Sequence, residues 1–530
     1  MAILRSRGAL RAAAVPLMAG ALLAAAAPPA AAHDPVDELR RDIDALLEDP
    51  ALEGAVSGVV VRSAETGEAL YGHERGTPLL PASNMKLLTS AAALDVFGTG
   101  HRFTTDVQAD TAPNPGGVVR GDLYLVGGGD PTLTADAYDD LAAEVADSGV
   151  RRVTGDLVAD DTYFDDERLH PDWEEGDEPY YYAAQISALT VAANQDYDTG
   201  VVTASAEPGN APGDPVEAGL EPMADNLEVR NEAVTGAPGS EPSLEVTRER
   251  GTNTFTFSGS LPAGGGDYAT LRTVDDPTAH AAHLFADALA DHGVKVVGDV
   301  DFGTAPRRTS PVAERSSMEL GELLVPYMKL SNNGHAEMLL KAMGAEEAGL
   351  GSWKAGAAAV EVATARMGLD PGAYRQTDGS GLARSNRMTA DGIADLLETV
   401  RGEPWWPEFE DSLPLAGAEE RMVGGTLRFR MRDTAAQENA RAKTGTLTGV
   451  SALSGYVQSA DGEELVFAVV NNGHTGPAPR HVQDAVAVRL AEFSRGGMQR
   501  LSAPAPAYAP APAGPDSSDG GRECTWAGTC

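Results

Sequence analysis

Pro81-Ala82-Ser83-Asn84-Met85-Lys86-Leu87-Leu88 is the stretch on which the reading of this chain turns. The residues that follow predict a buried helix, because Met85, Leu87, Leu88, Ala91, Ala92, Ala93, Leu94 and Val96 leave almost no polar face before Gly98. Ser83 and Lys86 stand three apart at its start. Positions i and i+3 are stacked neighbours on one helical face, so the Lys86 amine can reach the Ser83 hydroxyl and take its proton. A helix N-terminus adds the positive end of the dipole and nearby N–H groups, which suit an oxyanion. Lysine is a base only when neutral, so its pKa must fall from a reference of about 10.4 through desolvation or a neighbouring cation.

The chain holds six lysines, and a second one lies in Lys443-Thr444-Gly445, with Ser331-Asn332-Asn333 between the two. S-x-x-K alone arises by chance roughly once or twice in a chain of ordinary lysine content. Here S-x-x-K, S-x-N and K-T-G each occur once, in that order. Lys443 supplies the cation: a second ammonium in one cleft disfavours protonation of Lys86 and attracts an anionic substrate terminus. The alternation in Ala442-Lys443-Thr444-Gly445-Thr446-Leu447-Thr448-Gly449-Val450 suggests an edge strand with one face lining a cleft. Gly445 is expected to leave room for an incoming backbone, so that an extended peptide adds to this edge with its scissile carbonyl near Ser83. Thr444 and Thr446 would then bind a terminal carboxylate, and the Thr446 N–H would join that of Ser83 around the oxyanion.

Each motif has a plainer reading. Ser83 could be a helix N-cap, Ser331-Asn332-Asn333-Gly334 a turn before a helix running from Ala336 to Met343, and Lys443-Thr444-Gly445 an exposed strand with a bulge. Taken singly these readings are favoured; taken together, three rare motifs in one order outweigh them. His335 lies close to Ser331, but beside a helix start it reads as a local hydrogen-bonding residue rather than a triad base.

The triplet, with its wide spacing, resembles that of the low-molecular-mass class C penicillin-binding proteins, the D-alanyl-D-alanine carboxypeptidase/endopeptidase family. Gly121-Asp122-Leu123-Tyr124-Leu125-Val126-Gly127-Gly128-Gly129-Asp130-Pro131-Thr132-Leu133, Asp378-Gly379-Ser380-Gly381-Leu382 and Lys443 to Gly449 carry the likeness further, over about residues 34–493. The resemblance implies Ser83 as nucleophile, Lys86 as base in acylation, Ser331 as proton relay to the leaving amine, and Asn333 as the group that holds the substrate amide. Lys443 and Thr444 would complete the electrostatics. It also implies that Arg384 pairs with the free carboxylate of a diaminopimelate side chain, in a pocket walled by Trp173, Tyr181, Leu382 and Leu447. An acidic contact from a second domain falls among Gly176, Asp177 and Glu178. A surface ion pair for Arg384, and ordinary packing for Trp173 and Tyr181, remain open.

Composition narrows the setting. Residues 1–32, with Arg5, Arg7 and Arg11 ahead of an alanine-rich apolar run, read as a signal peptide and imply a secreted or wall-associated protein. No later segment reads as a membrane span. A net charge of −39 leaves no basic stripe for nucleic acid. The two cysteines, Cys524 and Cys530, sit in a Pro/Ala-rich segment, 501–530, expected to be a flexible tail where they could pair. There is no H-E-x-x-H, metal-spaced cluster, Walker loop or G-x-S-x-G, so neither metal nor cofactor is expected.

Ser83 and Ser331 are too far apart for one small domain, so an insertion is expected. Residues 33–97 and 309–500 should form one discontinuous catalytic domain of the serine β-lactamase/transpeptidase kind, an antiparallel sheet flanked by helices, with 98–308 inserted as α/β and β-containing subdomains. Within the insert, Leu141 to Leu157 echoes Phe285 to Val300: a helix, a glycine stop and a strand. The whole is a multidomain α/β protein. Three functions remain open: a peptidase on peptidoglycan stem peptides ending in D-Ala-D-Ala and inhibited by β-lactams, a β-lactamase of the same superfamily, and a wall-binding protein with a dead site.

Overall fold

The computed structural model describes residues 34–496. The expected signal peptide, the 501–530 tail and both cysteines lie outside the described residues.

The catalytic part is built on a five-stranded antiparallel sheet in the spatial order Ala69–His73, Val56–Ser63, Glu464–Asn472, Val450–Gln458, Arg441–Leu447. Because successive side chains of a strand point to opposite faces, one sheet feeds two cores. Val60, Val466, Ala468 and Val470 face a helical layer that includes Met85–Phe97, Leu320–Lys329, Asn333–Ala348, Trp353–Arg366 and Ala390–Val400. Val59, Val61, Phe467 and Val469 face Leu39 and Ile43 of Pro35–Leu47 and Val486 and Leu490 of Arg480–Ala491. Each fully buried Leu or Val of this kind is worth about 1.5–3 kcal/mol over its exposed state. The Met85–Phe97 helix is apolar all round because it is the centre of the first core: its residues 85–94 are all buried.

The insert carries a second five-stranded sheet, Val300–Phe302, Leu157–Asp160, Leu123–Gly127, Thr104–Ala109, Ser310–Ser316, covered by the helices Ala135–Asp147 and Pro277–Asp291. Both helices stop at a left-handed glycine, Gly149 (φ 96°) and Gly293 (φ 76°), a conformation in which a Cβ would be strained. Between them sits a β unit with its own core of Val202, Ala204, Phe255, Phe257 and Val274. Ser310–Ser316 falls in the stretch assigned above to the catalytic part, yet it pairs antiparallel with Thr104–Ala109. Departure and return strands are therefore neighbours, and the two crossings run side by side: Ser317 N donates to Phe103 O (2.8 Å), Leu320 N to His101 O (2.8 Å) and Gly321 N to Thr99 O (2.9 Å). Among the described residues, no helix is long and apolar enough to cross a membrane.

Candidate active site

Ser83 lies in a 3₁₀ turn, Ala82–Asn84, that leads into the Met85–Phe97 helix; no side-chain cap bond closes this start. Its hydroxyl is turned to Lys86, whose Nζ lies 2.8 Å from Ser83 Oγ. The amine also donates to Asn333 Oδ1 (2.7 Å) and to the Ser380 carbonyl (3.1 Å), and Lys86 is fully buried. The other end of the S-x-x-K turn is tied to K-T-G, because Asn84 Nδ2 donates to the Lys443 carbonyl at 3.1 Å.

Lys443, equally buried, donates to Ser331 Oγ (2.8 Å) and to the Thr444 carbonyl (3.0 Å). Ser331 adopts φ 59°, a left-handed backbone that costs a non-glycine residue of order 1–3 kcal/mol. The turn is held from several sides. Asn332 Oδ1 accepts from His335 N (3.2 Å), while Asn332 Nδ2 donates to Tyr197 O (3.2 Å) and to Asp198 Oδ1 (3.3 Å) of the insert. His335 is also spent on structure: its Nε2 meets Tyr197 O at 2.7 Å, and burial pushes the ring down to a pKa of about 4, so it stays neutral. Arg421 adds an ion pair to Asp196, with Nε 3.0 Å from Oδ1.

Arg441–Leu447 is an edge strand, as the alternation suggested, and Gly445 does explain its closeness to the nucleophile. A close approach is made to the chain itself. A Cβ on Gly445 would stand 2.9 Å from Pro81 O and 3.1 Å from Ser83 N, so glycine lets the strand lie against the nucleophile turn. Thr444 Oγ1 donates to Thr426 Oγ1 at 2.9 Å, a partner the sequence gave no reason to choose.

The cleft over Ser83 is lined by Ser331, Asn333, Leu382, Arg384, Thr446 and Leu447 from the catalytic part and by Glu174, Asp177, Tyr181 and Tyr182 from the insert. Arg384 Nε donates to Glu174 Oε1 at 2.8 Å, and both side chains remain well exposed. Asp177 lines the cleft and accepts from Tyr182 OH (3.2 Å), whereas Glu178 is buried in an ion pair with Arg248. Trp173 stands behind the cleft rather than in its lining. Its indole N–H is committed to Asp378 Oδ2 (2.9 Å) and its ring packs edge-on against Trp353. Asn333, expected to hold a substrate amide, already donates from Nδ2 to the Tyr182 carbonyl (2.7 Å). Among the described residues, no cluster of His, Cys, Asp and Glu is placed to hold a metal.

A buried serine with a lysine in hydrogen-bond reach, a second lysine on another serine and an open strand edge have the layout of acyl-transfer machinery. Comparisons with known proteins give the same class. The chain is 53% identical, over 99% of its own length and 97% of the relative's, to the D-alanyl-D-alanine carboxypeptidase of Actinomadura sp. (strain R39). It is 25% identical, over 80% of its length and 86% of the relative's, to the D-alanyl-D-alanine carboxypeptidase DacB of Haemophilus influenzae. The crystal structure of penicillin binding protein 4 (dacB) from H. influenzae superposes with a TM-score of 0.73 at 24% identity, covering 84% of this chain and 98% of that one, which shows a shared fold. Residues 39–493 match the model of the D-Ala-D-Ala carboxypeptidase 3 (S13) family, and the chain belongs to that family.

Proposed function

We propose that this D-alanyl-D-alanine carboxypeptidase works through an acyl-enzyme on Ser83. Ser83 Oγ attacks the carbonyl of the penultimate D-alanine as Lys86 Nζ takes the hydroxyl proton. The amides of Ser83 and Thr446 receive the negative charge that develops on the carbonyl oxygen. As the tetrahedral adduct collapses the C–N bond breaks, and the proton that Lys86 took from Ser83 passes through the Ser331 hydroxyl to the leaving amine, which leaves Lys86 neutral again; Lys443 Nζ, 2.8 Å from Ser331 Oγ, orients that hydroxyl. Water then attacks the ester, Lys86 accepting its proton and returning it to Ser83. A β-lactam enters by the same attack, its amide opened by Ser83.

The observation that carries this reading is the pair of short contacts from Lys86 Nζ, 2.8 Å to Ser83 Oγ and 2.7 Å to Asn333 Oδ1, which joins two motifs far apart in the chain. Thr444 and Thr446 hold the terminal carboxylate, and Asn333 the substrate amide, by exchanging its bond to Tyr182. Leu382, Leu447 and Tyr181 wall the side-chain pocket, and Arg384 takes the free carboxylate of a diaminopimelate residue by leaving Glu174. Such a substrate occurs in peptidoglycan stem peptides, so the protein acts outside the cell, where residues 1–32 would direct it.

The test is direct. Penicillin should add covalently within the tryptic peptide that contains Ser83, and a diacyl peptide ending in D-Ala-D-Ala should lose one D-alanine. Ser83→Ala should show neither, with its circular dichroism unchanged. Rapid steady-state penicillin hydrolysis in place of a persistent adduct would make the protein a β-lactamase instead. Turnover surviving in Ser83→Ala would end the proposal.

A further inference from the structure

Lys86 makes its third contact with the Ser380 carbonyl, in the loop Asp378-Gly379-Ser380-Gly381-Leu382. Nothing in the three motifs fixes where that carbonyl points. The loop is gripped from below by Glu337, one helical turn after Asn333 on Asn333–Ala348 and fully buried. Glu337 Oε1 accepts from Ser380 N (2.8 Å), and Oε2 accepts from Gly379 N (2.7 Å) and from Trp353 Nε1 (2.8 Å). Space is fixed as tightly as polarity: a Cβ on Gly379 would lie 2.2 Å from Ala336 O, and one on Gly381 1.9 Å from Ala82 O. The loop is thus wedged between the helix that carries Lys86 and the helix that begins at Asn333.

The chemistry explains why this grip matters. A neutral amine has two N–H groups and one lone pair. Asn333 Oδ1 and Ser380 O accept hydrogens and offer none, so N–H groups aimed at them leave the lone pair for the Ser83 hydroxyl, which can donate. We propose that Glu337 is a positioning residue for the general base: by holding the Gly379 and Ser380 amides it aims the Ser380 carbonyl at Lys86 Nζ, and so aims the amine's lone pair at Ser83. Burial, and then the neighbouring Asp378 carboxylate, push the Glu337 carboxyl above its usual range, while the three N–H donors work the other way. Those donors match a carboxylate, which only accepts. Glutamine, of the same shape, would turn an NH₂ toward at least one of them.

This inference rests on Lys86 being the base, and the experiment separates the two. Acylation of the full chain by penicillin is followed by stopped flow to resolve the initial dissociation constant from the acylation rate constant. Hydrogen–deuterium exchange is read on the peptide covering residues 376–384. In Glu337→Gln the rate constant should fall 10- to 100-fold, with the dissociation constant within threefold of the parent and faster exchange in that peptide. Trp353→Phe, which removes one donor to Glu337 but leaves the loop sequence intact, should lower the rate constant two- to fivefold. An unchanged rate constant in folded Glu337→Gln, or a fall with unchanged loop exchange, overturns the proposal. Should Glu337→Gln not fold, an unchanged rate constant in Trp353→Phe overturns it. Normal acylation in Lys86→Ala refutes the base assignment itself; a dead Lys86→Ala beside a normal Glu337→Gln refutes only the role of Glu337.

Discussion

On the wall of the cleft that carries Ser83, the working side chains are packed away from water: Lys86 and Lys443 are fully buried, and Ser83 and Ser331 nearly so. On the side of the insert, Arg384 and Glu174 keep 40% and 54% of their side-chain surface and meet in a single ion pair. The difference is electrostatic. Hydrogen bonds inside the protein are strengthened by the low dielectric and are costly to leave unmade, so the first wall has one arrangement. An exposed ion pair is worth about 0–1 kcal/mol, so Arg384 and Glu174 can part at small expense. Partners are fixed on one side and exchangeable on the other.

The comparison breaks first at the base. Lys86→Ala should slow acylation by both penicillin and peptide by roughly 10³-fold or more, since general-base catalysis is worth about 10²–10⁴-fold and the buried site is left without its amine. Single-turnover rates with each reagent check this; a loss below tenfold would mean that the buried wall tolerates substitution after all. Gly445→Ala comes next. A methyl group 2.9 Å from Pro81 O must push the edge strand off the nucleophile turn, costing about 1–3 kcal/mol of stability and slowing acylation. Urea denaturation together with penicillin acylation measures both; if stability drops while acylation holds, strand and turn are not coupled.

The exposed wall should respond more gently. Arg384→Ala should lower kcat/KM by about tenfold for peptides with a free diaminopimelate end, corresponding to about 1.4 kcal/mol, and by less than twofold for simple diacyl peptides. Equal losses on both substrates would remove the pocket assignment.

The smallest effect concerns pH. His335 is held neutral in the folded state with a pKa near 4, below its unfolded value of about 6.5, so between those values the unfolded chain binds the extra proton. Stability from this group falls as pH drops through that window. Asp198 and Glu337, both raised by burial, act in the opposite sense. His335→Gln keeps an N–H donor for Tyr197 O and cannot titrate. Its melting temperature relative to the parent should therefore rise steadily between pH 7 and pH 5. A constant difference would show that His335 binds its proton as readily in the fold as in the unfolded chain.

Much of the buried wall could be read in the linear chain. The S-x-x-K spacing needs only one turn of helix to bring Lys86 to Ser83, and the apolar stretch after it marks a central helix. The edge character of the K-T-G strand followed from its alternation. Gly445 was read as room for a substrate backbone, while its approach to Pro81 went unread, because that is a contact across the fold. Ser310–Ser316 was placed in the wrong unit for a similar reason: strand propensity does not name a partner, and its partner, Thr104–Ala109, lies at the far end of the insert. Trp173 drew notice as a large aromatic near the pocket, while its commitment to Asp378 had no local signature. Tyr182, Thr426 and Glu337 were not singled out at all. They act through long-range hydrogen bonds, several of which involve backbone groups, which carry no residue code.

Read alone, the sequence settled the class of chemistry, the nearness of Lys86 to Ser83 and the strand that carries K-T-G, because these depend on residue type and short-range spacing. Folding in three dimensions decided which carbonyl meets the lysine, which acids line the cleft and where the insert rejoins its sheet. Those outcomes are set by contacts between residues distant in the chain, and side-chain periodicity holds no record of them.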